Sequence, residues 1–170
     1  MPSKVYFINA RVEKFDYQYS VEGRLESILE KLDLRKYFSE NELVPVKMHL
    51  GNPGAHHTIR PNFVRVVVDQ LKKIRTKPFI TDSVRIKGYE YLDTANRMGF
   101  NPMSLDAPVL IADGIFGSDS VKVKAGDLLK DLYIPSAIYD ASSMMVLSHV
   151  KGHIDSSYGG AIKNLAMGCV

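Results

Sequence analysis

Apolar positions in this chain come in two alternating patterns: short continuous runs, and stripes with a period near 3.6. Residues 4–9 hold Val5, Tyr6, Phe7 and Ile8 in a row and predict a first strand. Residues 11–19 are polar and aromatic and read as a loop. From about Glu22 the pattern turns helical. Leu25, Ile28, Leu29 and Leu32 share one face, with Glu26, Glu30 and Lys31 off it, and the helix is expected to end near Phe38. Residues 43–50 read as a strand that places Val46, Met48 and Leu50 on one face and Lys47 and His49 on the other.

A Gly-rich loop follows, from Gly51 to Arg60, and Pro61 suits the first turn of the next helix. Phe63, Val67, Leu71 and Ile74 form its apolar stripe. Residues 78–82 predict a third strand, 89–98 a helix stopped by Gly99, and 108–112 a fourth strand. Residues 118–134 admit two readings, a β-hairpin insertion around 115–133 or a helix over 128–133. Residues 135–141 start a short helix, and 143–148 form the fifth main strand, with Met144 to Leu147 as its apolar run. Strands alternating with helices predict an α/β fold, a Rossmann-like layered domain with a mostly parallel central sheet and helices on both faces. No internal repeat or low-complexity linker divides residues 1–170, and the length suits a single domain.

Composition narrows the class without naming a function. At 45% hydrophobic and 24% charged, the chain can bury a core. A net charge of +3, with no dense basic run, argues against a nucleic-acid partner. No apolar stretch is long enough to span a bilayer, and residues 1–9 lack the features of a signal peptide, so a cytoplasmic location without membrane contact is expected. One cysteine excludes an internal disulfide and an all-cysteine metal site in this chain.

The chemistry collects at the predicted strand ends, which carry Asn9, Lys47, His49, Thr81, Asp82, Asp113, Ser148 and His149. In a parallel sheet these ends share one edge, beyond which open α/β sheets bind ligands. Capping explains either aspartate taken alone. It explains less well two strand ends that carry histidines together with a lysine. Two chemistries fit. In one, His49, His149 and His153 hold a divalent metal, with Asp82 or Asp113 as carboxylate ligand or orienting partner and Cys169 as a further donor. The spacing matches no standard zinc pattern. In the other, Lys47, Arg60 and Lys163 line a cleft for a small anionic ligand. Gly51, Gly54, Gly159 and Gly160 then supply backbone donors, and Lys151 and Asn164 make further contacts. His49, His149 and Lys163 are the candidates for catalytic work near neutral pH. The anion reading is preferred.

Several blocks also carry a resemblance. Lys47-Met48-His49-x-Gly51-x-x-Gly54, Ile59-Arg60-Pro61, Lys77-Pro78-Phe79-x-Thr81-Asp82, Ala107-Pro108-Val109-x-Ile111-Ala112-Asp113-Gly114, Ser148-His149-x-Lys151-Gly152-His153 and Gly159-Gly160-Ala161-Ile162-Lys163-Asn164-x-x-Met167-Gly168-Cys169 stand in order. From about Val44 to Cys169 the sequence resembles a prokaryotic family of unknown function whose members are usually labelled uncharacterised iron–sulfur centre proteins. The resemblance implies a redox or cluster-associated role and no substrate; joined to the reading of the residues, it predicts a domain that binds an anionic ligand or metal-bearing cofactor at the strand carboxyl ends. Members typically continue into a cysteine-rich, ferredoxin-like cassette, whereas this sequence has no C-x-x-C motif and stops at Val170. An iron–sulfur cluster is therefore expected only if a missing segment or a partner at the C-terminal end supplies it. Two other readings stand beside this one: a metal-dependent isomerase or hydrolase without a cluster, and a non-catalytic module docking a cysteine-rich partner. A homo-oligomer is compatible with each.

Overall fold

The computed structural model describes residues 3–84 and 87–170. In chain order the regular elements begin with α1 (Val21–Leu32), β1 (Leu43–Lys47), α2 (Pro61–Lys73) and β2 (Lys77–Asp82). Then come α3 (Gly88–Arg97), α4 (Pro102–Leu105), β3 (Val109–Ile111), β4 (Ser120–Lys124), α5 (Gly126–Leu129) and β5 (Asp131–Pro135). The last are α6 (Ser136–Tyr139), β6 (Met145–Val146), β7 (Lys151–His153), β8 (Ser157–Gly159) and α7 (Ala161–Gly168).

Four of the strands make one all-parallel sheet in the order β3-β2-β1-β6, flanked by helices. This is the Rossmann-like α/β arrangement that the alternating pattern predicts. The two central strands are buried along nearly their whole length, as parallel strands covered on both sides must be. Val44, Val46 and Ile80 of the sheet join Val64, Val67, Val68 and Leu71 of α2 in one core, each almost fully buried. A side chain of this size contributes roughly 1.5–3 kcal/mol when fully buried.

Strand order fixes where a ligand site belongs. The chain steps outward from β1 to β2 to β3, then returns to lay β6 against the other side of β1. The carboxyl ends of β1 and β6 therefore meet where the order reverses, the place at which open α/β sheets leave a crevice. Val46 pairs with Met145 and Lys47 with Val146, and the Leu147 N–H donates to the Lys47 carbonyl at 2.9 Å.

Several expectations need correction. Residues 4–9 form no strand. Val5 is 85% and Phe7 88% exposed, so the apolar run has no sheet edge to pair with. The first helix stops at Leu32 because Asp33 takes a left-handed conformation (φ 52°), and a 3₁₀ turn over Leu34–Lys36 follows. β1 ends at Lys47 rather than at residue 50, and the Leu50 N–H is satisfied by the Tyr91 hydroxyl at 3.2 Å instead of by a sheet ladder. Of the two readings of 118–134 the hairpin holds: β4 and β5 pair antiparallel, and the helix over 128–133 is replaced by strand from Asp131, with only the single turn α5 (Gly126–Leu129) at the hairpin tip. The β7–β8 hairpin and α7 fill residues 151–168, to which the apolar pattern assigned no element.

The end of α2 yields a stability prediction. Arg75 sits at φ 66°, while its N–H donates to the Lys72 carbonyl and that of Thr76 to the Leu71 carbonyl. These are the two bonds of a Schellman cap, whose left-handed position favours glycine. An L-residue there costs about 1–2 kcal/mol, and glycine gives back about half of that through its unfolded-state freedom. Arg75→Gly is expected to raise stability by about 0.5–1 kcal/mol, read as a higher denaturant midpoint at unchanged slope. An unchanged or lower midpoint contradicts the cap assignment.

Candidate functional site

The centre of the site is a buried carboxylate. Asp82 ends β2, is 2% exposed, and faces Lys47 at the end of β1, which is 1% exposed. Parallel pairing of β1 with β2 sets Lys47 beside Thr81, one residue from Asp82. The Lys47 Nζ lies 2.8 Å from Asp82 Oδ1. A carboxylate has about four acceptor positions, and four donors approach this one. Lys47 Nζ and the Ser83 N–H meet Oδ1, while the Tyr91 hydroxyl at 2.5 Å and His49 Nδ1 at 3.4 Å meet Oδ2. Burial pushes the Asp82 carboxyl up, but the hydrogen bond from His49, the Lys47 charge and the Tyr91 hydroxyl outweigh it and hold the group below the usual carboxylate range.

Lys47 is equally occupied. Besides Asp82 it donates to the Asn164 side-chain oxygen at 2.7 Å and to the Asn164 carbonyl at 3.1 Å. Its three protons thus all have protein acceptors. Asn164 in turn donates through Nδ2 to the Leu147 carbonyl and to Ser148 Oγ, both at 3.0 Å. One side chain of α7 thereby ties that helix to the ends of both β1 and β6. Gly168, the last residue of α7, packs against the ion pair. A Cβ there would stand 2.3 Å from Lys47 Nζ and 2.8 Å from Asp82 Oδ1.

Above this buried network opens a cleft of about 110 Å³. His49 reaches it from two residues beyond the end of β1, with 29% of its side chain exposed. His149 comes from the end of β6, Lys151 and His153 from β7, and Lys163 from α7. Gly159 and Gly160 form part of the wall, with Gly160 as the N-cap of α7, which has no side-chain cap. His49 and His149, a hundred positions apart, thus share one pocket because β1 and β6 are neighbours.

Other candidates lie elsewhere. Arg60 is exposed at the start of α2 and does not line the cleft. Gly51 and Gly54 are also outside it, and the loop contributes Asn52, His57, Thr58 and Ile59 instead. Asp113 accepts the Val84 N–H at 2.8 Å, and burial pushes its carboxyl up. Cys169 is buried behind the cleft within electrostatic reach of Lys47 and Asp82, and burial pushes its thiol up as well. His153 Nδ1 accepts the Asp155 N–H at 3.1 Å. Two participants escaped the sequence reading, Tyr91 and Gly168. A tyrosine inside an apolar helical stripe was the available signal for the first, since a buried hydroxyl must find a partner.

The donor set can be tested against a metal or cluster. Among the described residues no three of His, Cys, Asp or Glu come together to hold a metal ion. The expected set His49, Asp82, Asp113, His149, His153 and Cys169 is divided between the cleft, the buried network and a loop. A single cysteine, its thiol kept protonated by burial, does not fit an iron–sulfur cluster. No helix of the described residues is long and apolar enough to cross a membrane. No curated protein and no solved structure is significantly similar to the chain. The family "Domain of unknown function (DUF362)" matches residues 44–170, a span that includes every wall of the cleft, so the chain belongs to the DUF362 family.

Proposed function

We propose that the chain binds a small anionic ligand, one bearing a carboxylate or phosphate, in the cleft at the ends of β1 and β6. One observation carries the reading. Asp82 is the single carboxylate among the described cleft walls, and Lys47 already neutralises it. Lys151 and Lys163 line the same cleft without a carboxylate partner among the described residues. A pocket with two uncompensated ammonium groups and several imidazoles favours an anion, and a partly enclosed wall strengthens that attraction over its value in water. The uncapped start of α7 adds free backbone N–H groups on the same side.

Lys47 and Asn164 act here as struts that shape the wall, because their hydrogen-bonding groups are used within the protein. Lys151 and Lys163 are the contacts. Titrating the protein with inorganic phosphate and with malonate, followed by calorimetry at low salt, tests this. Saturable binding of at least one is expected. Lys151→Ala and Lys163→Ala are each expected to weaken it about tenfold, the loss of one charge-assisted hydrogen bond. Absence of binding to both anions at millimolar concentration, or binding unaffected by either substitution, removes the reading.

A further inference from the structure

We infer that the cleft is a proton-transfer site in which Nε2 of His49 is the general base. Asp82 and Tyr91 act as positioning residues that fix its tautomer. The inference rests on the anion-binding reading for its substrate class but on separate observations for its chemistry.

Asp82 is ionised, since the groups around it hold its carboxyl below the usual range, and an ionised carboxylate only accepts. The Tyr91 hydroxyl donates its proton to Asp82 Oδ2 at 2.5 Å, a short charge-assisted bond, and accepts the Leu50 N–H at 3.2 Å. His49 Nδ1 lies 3.2 Å from that hydroxyl oxygen and 3.4 Å from Asp82 Oδ2. Both neighbours of Nδ1 thus present acceptors, and Nδ1 must carry the hydrogen. A neutral imidazole has only one. In the neutral ring Nε2 is therefore the unprotonated nitrogen, and it is the one without a partner among the described residues on a side chain that lines the cleft. A base held by a carboxylate in this way is oriented before the ligand arrives.

The substrate this selects is a small carboxylate or phosphate compound that also carries an acidic hydrogen, on a hydroxyl or on a carbon next to the anionic group. In the step, the substrate's O–H or C–H bond breaks and its hydrogen becomes the Nε2–H. The bonding electron pair stays on the substrate, where Lys151 and Lys163 offset the added negative charge. The imidazolium so formed is stabilised through Nδ1–H by Asp82, which remains ionised. No oxidant or other co-reactant is needed.

Long-range ¹H–¹⁵N spectra of the imidazoles test the assignment directly, with His49→Gln identifying the resonance. The neutral His49 ring is expected as the Nδ1–H tautomer, free and with malonate or phosphate bound. Tyr91→Phe removes one neighbour of Nδ1, so the tautomer ratio is expected to fall about fivefold, equivalent to one hydrogen bond of about 1 kcal/mol. Wild-type protein in D₂O with a panel of small α-hydroxy acids is expected to wash deuterium into the substrate carbon. The rate should drop at least a hundredfold in His49→Gln, the usual range for a positioned base. A predominantly Nε2–H ring overturns the inference, as does no wash-in by the wild-type protein, or wash-in that His49→Gln leaves unchanged. Anion binding with an Nε2–H ring defeats the base and leaves the binding reading standing. An Nδ1–H ring without anion binding defeats the substrate class alone.

Discussion

Lys47→Met is expected to lower stability by about 3–5 kcal/mol, the usual cost of leaving one member of a buried ion pair without its partner. The methionine fills most of the lysine's volume, so the loss is electrostatic rather than a cavity. Asp82 stays in place with 2% exposure and three remaining donors. With total stabilities of about 5–15 kcal/mol typical of folded chains, the variant sits near the edge of folding. Lys47→Met combined with Asp82→Asn removes both charges and is expected to recover part of the loss, a coupling that a double-mutant cycle measures. The same pair sets an acid limb. The folded Asp82 carboxyl lies below its unfolded value, so its contribution is complete above the ordinary carboxylate range near pH 4 and is lost as pH falls through the folded value. Denaturant midpoints against pH should therefore fall on acidification in the wild type and run flatter in Lys47→Met. A Lys47→Met loss below about 1 kcal/mol would show that the pair contributes little.

Gly168→Ala is the second large effect, and its sign runs against helix propensity. In an unconstrained helix the change stabilises by up to about 1 kcal/mol. Here the new methyl would stand 2.3 Å from Lys47 Nζ and 2.6 Å from its Cε. The tip of a free lysine could move aside, but this one is held by Asp82 and by two acceptors of Asn164. Either the ion pair opens or α7 lifts, so a loss of about 3 kcal/mol is expected from overpacking combined with a disturbed buried charge. Because α7 carries Lys163 and one wall of the cleft, anion affinity should fall with it. Equal or greater stability of Gly168→Ala would mean that α7 does not sit tightly on the pair.

Much of the sheet was legible because parallel strands and amphipathic helices leave different periods in the sequence. α1, α2, α3 and the cores of β1, β2 and β3 fall where the apolar pattern placed them. Residues 4–9 misled because a run of Val, Tyr, Phe and Ile carries local preference only, while a strand needs an edge to bind. The alternation at Lys47 and His49 was informative, and both do reach Asp82. What stayed hidden was tertiary. The return of β6 to the side of β1, which brings His149 to His49, is a property of strand order, and no local pattern encodes it. Nor could a list of strand-end residues show that Lys47 and Asn164 are satisfied internally while Lys151 and Lys163 have no carboxylate partner among the described residues. Arg60 and Asp113 had the right chemistry and the right place along the chain, and the geometry of their loops turns them elsewhere.

The packing of α7 on the ion pair has a consequence for how this sequence can drift. Positions 82, 164 and 168 all meet at Lys47, so a substitution at any of the four is judged in the context of the other three rather than on its own. A shorter side chain at 47 would make room for a methyl at 168, yet would strand the charge at 82, so single steps away from the present combination are blocked and only joint changes are open. Ile162 and Ala166, on the exposed side of the same helix, carry no such obligation. Two faces of eight residues should thus vary at very different rates, the inner one nearly frozen and the outer one nearly free.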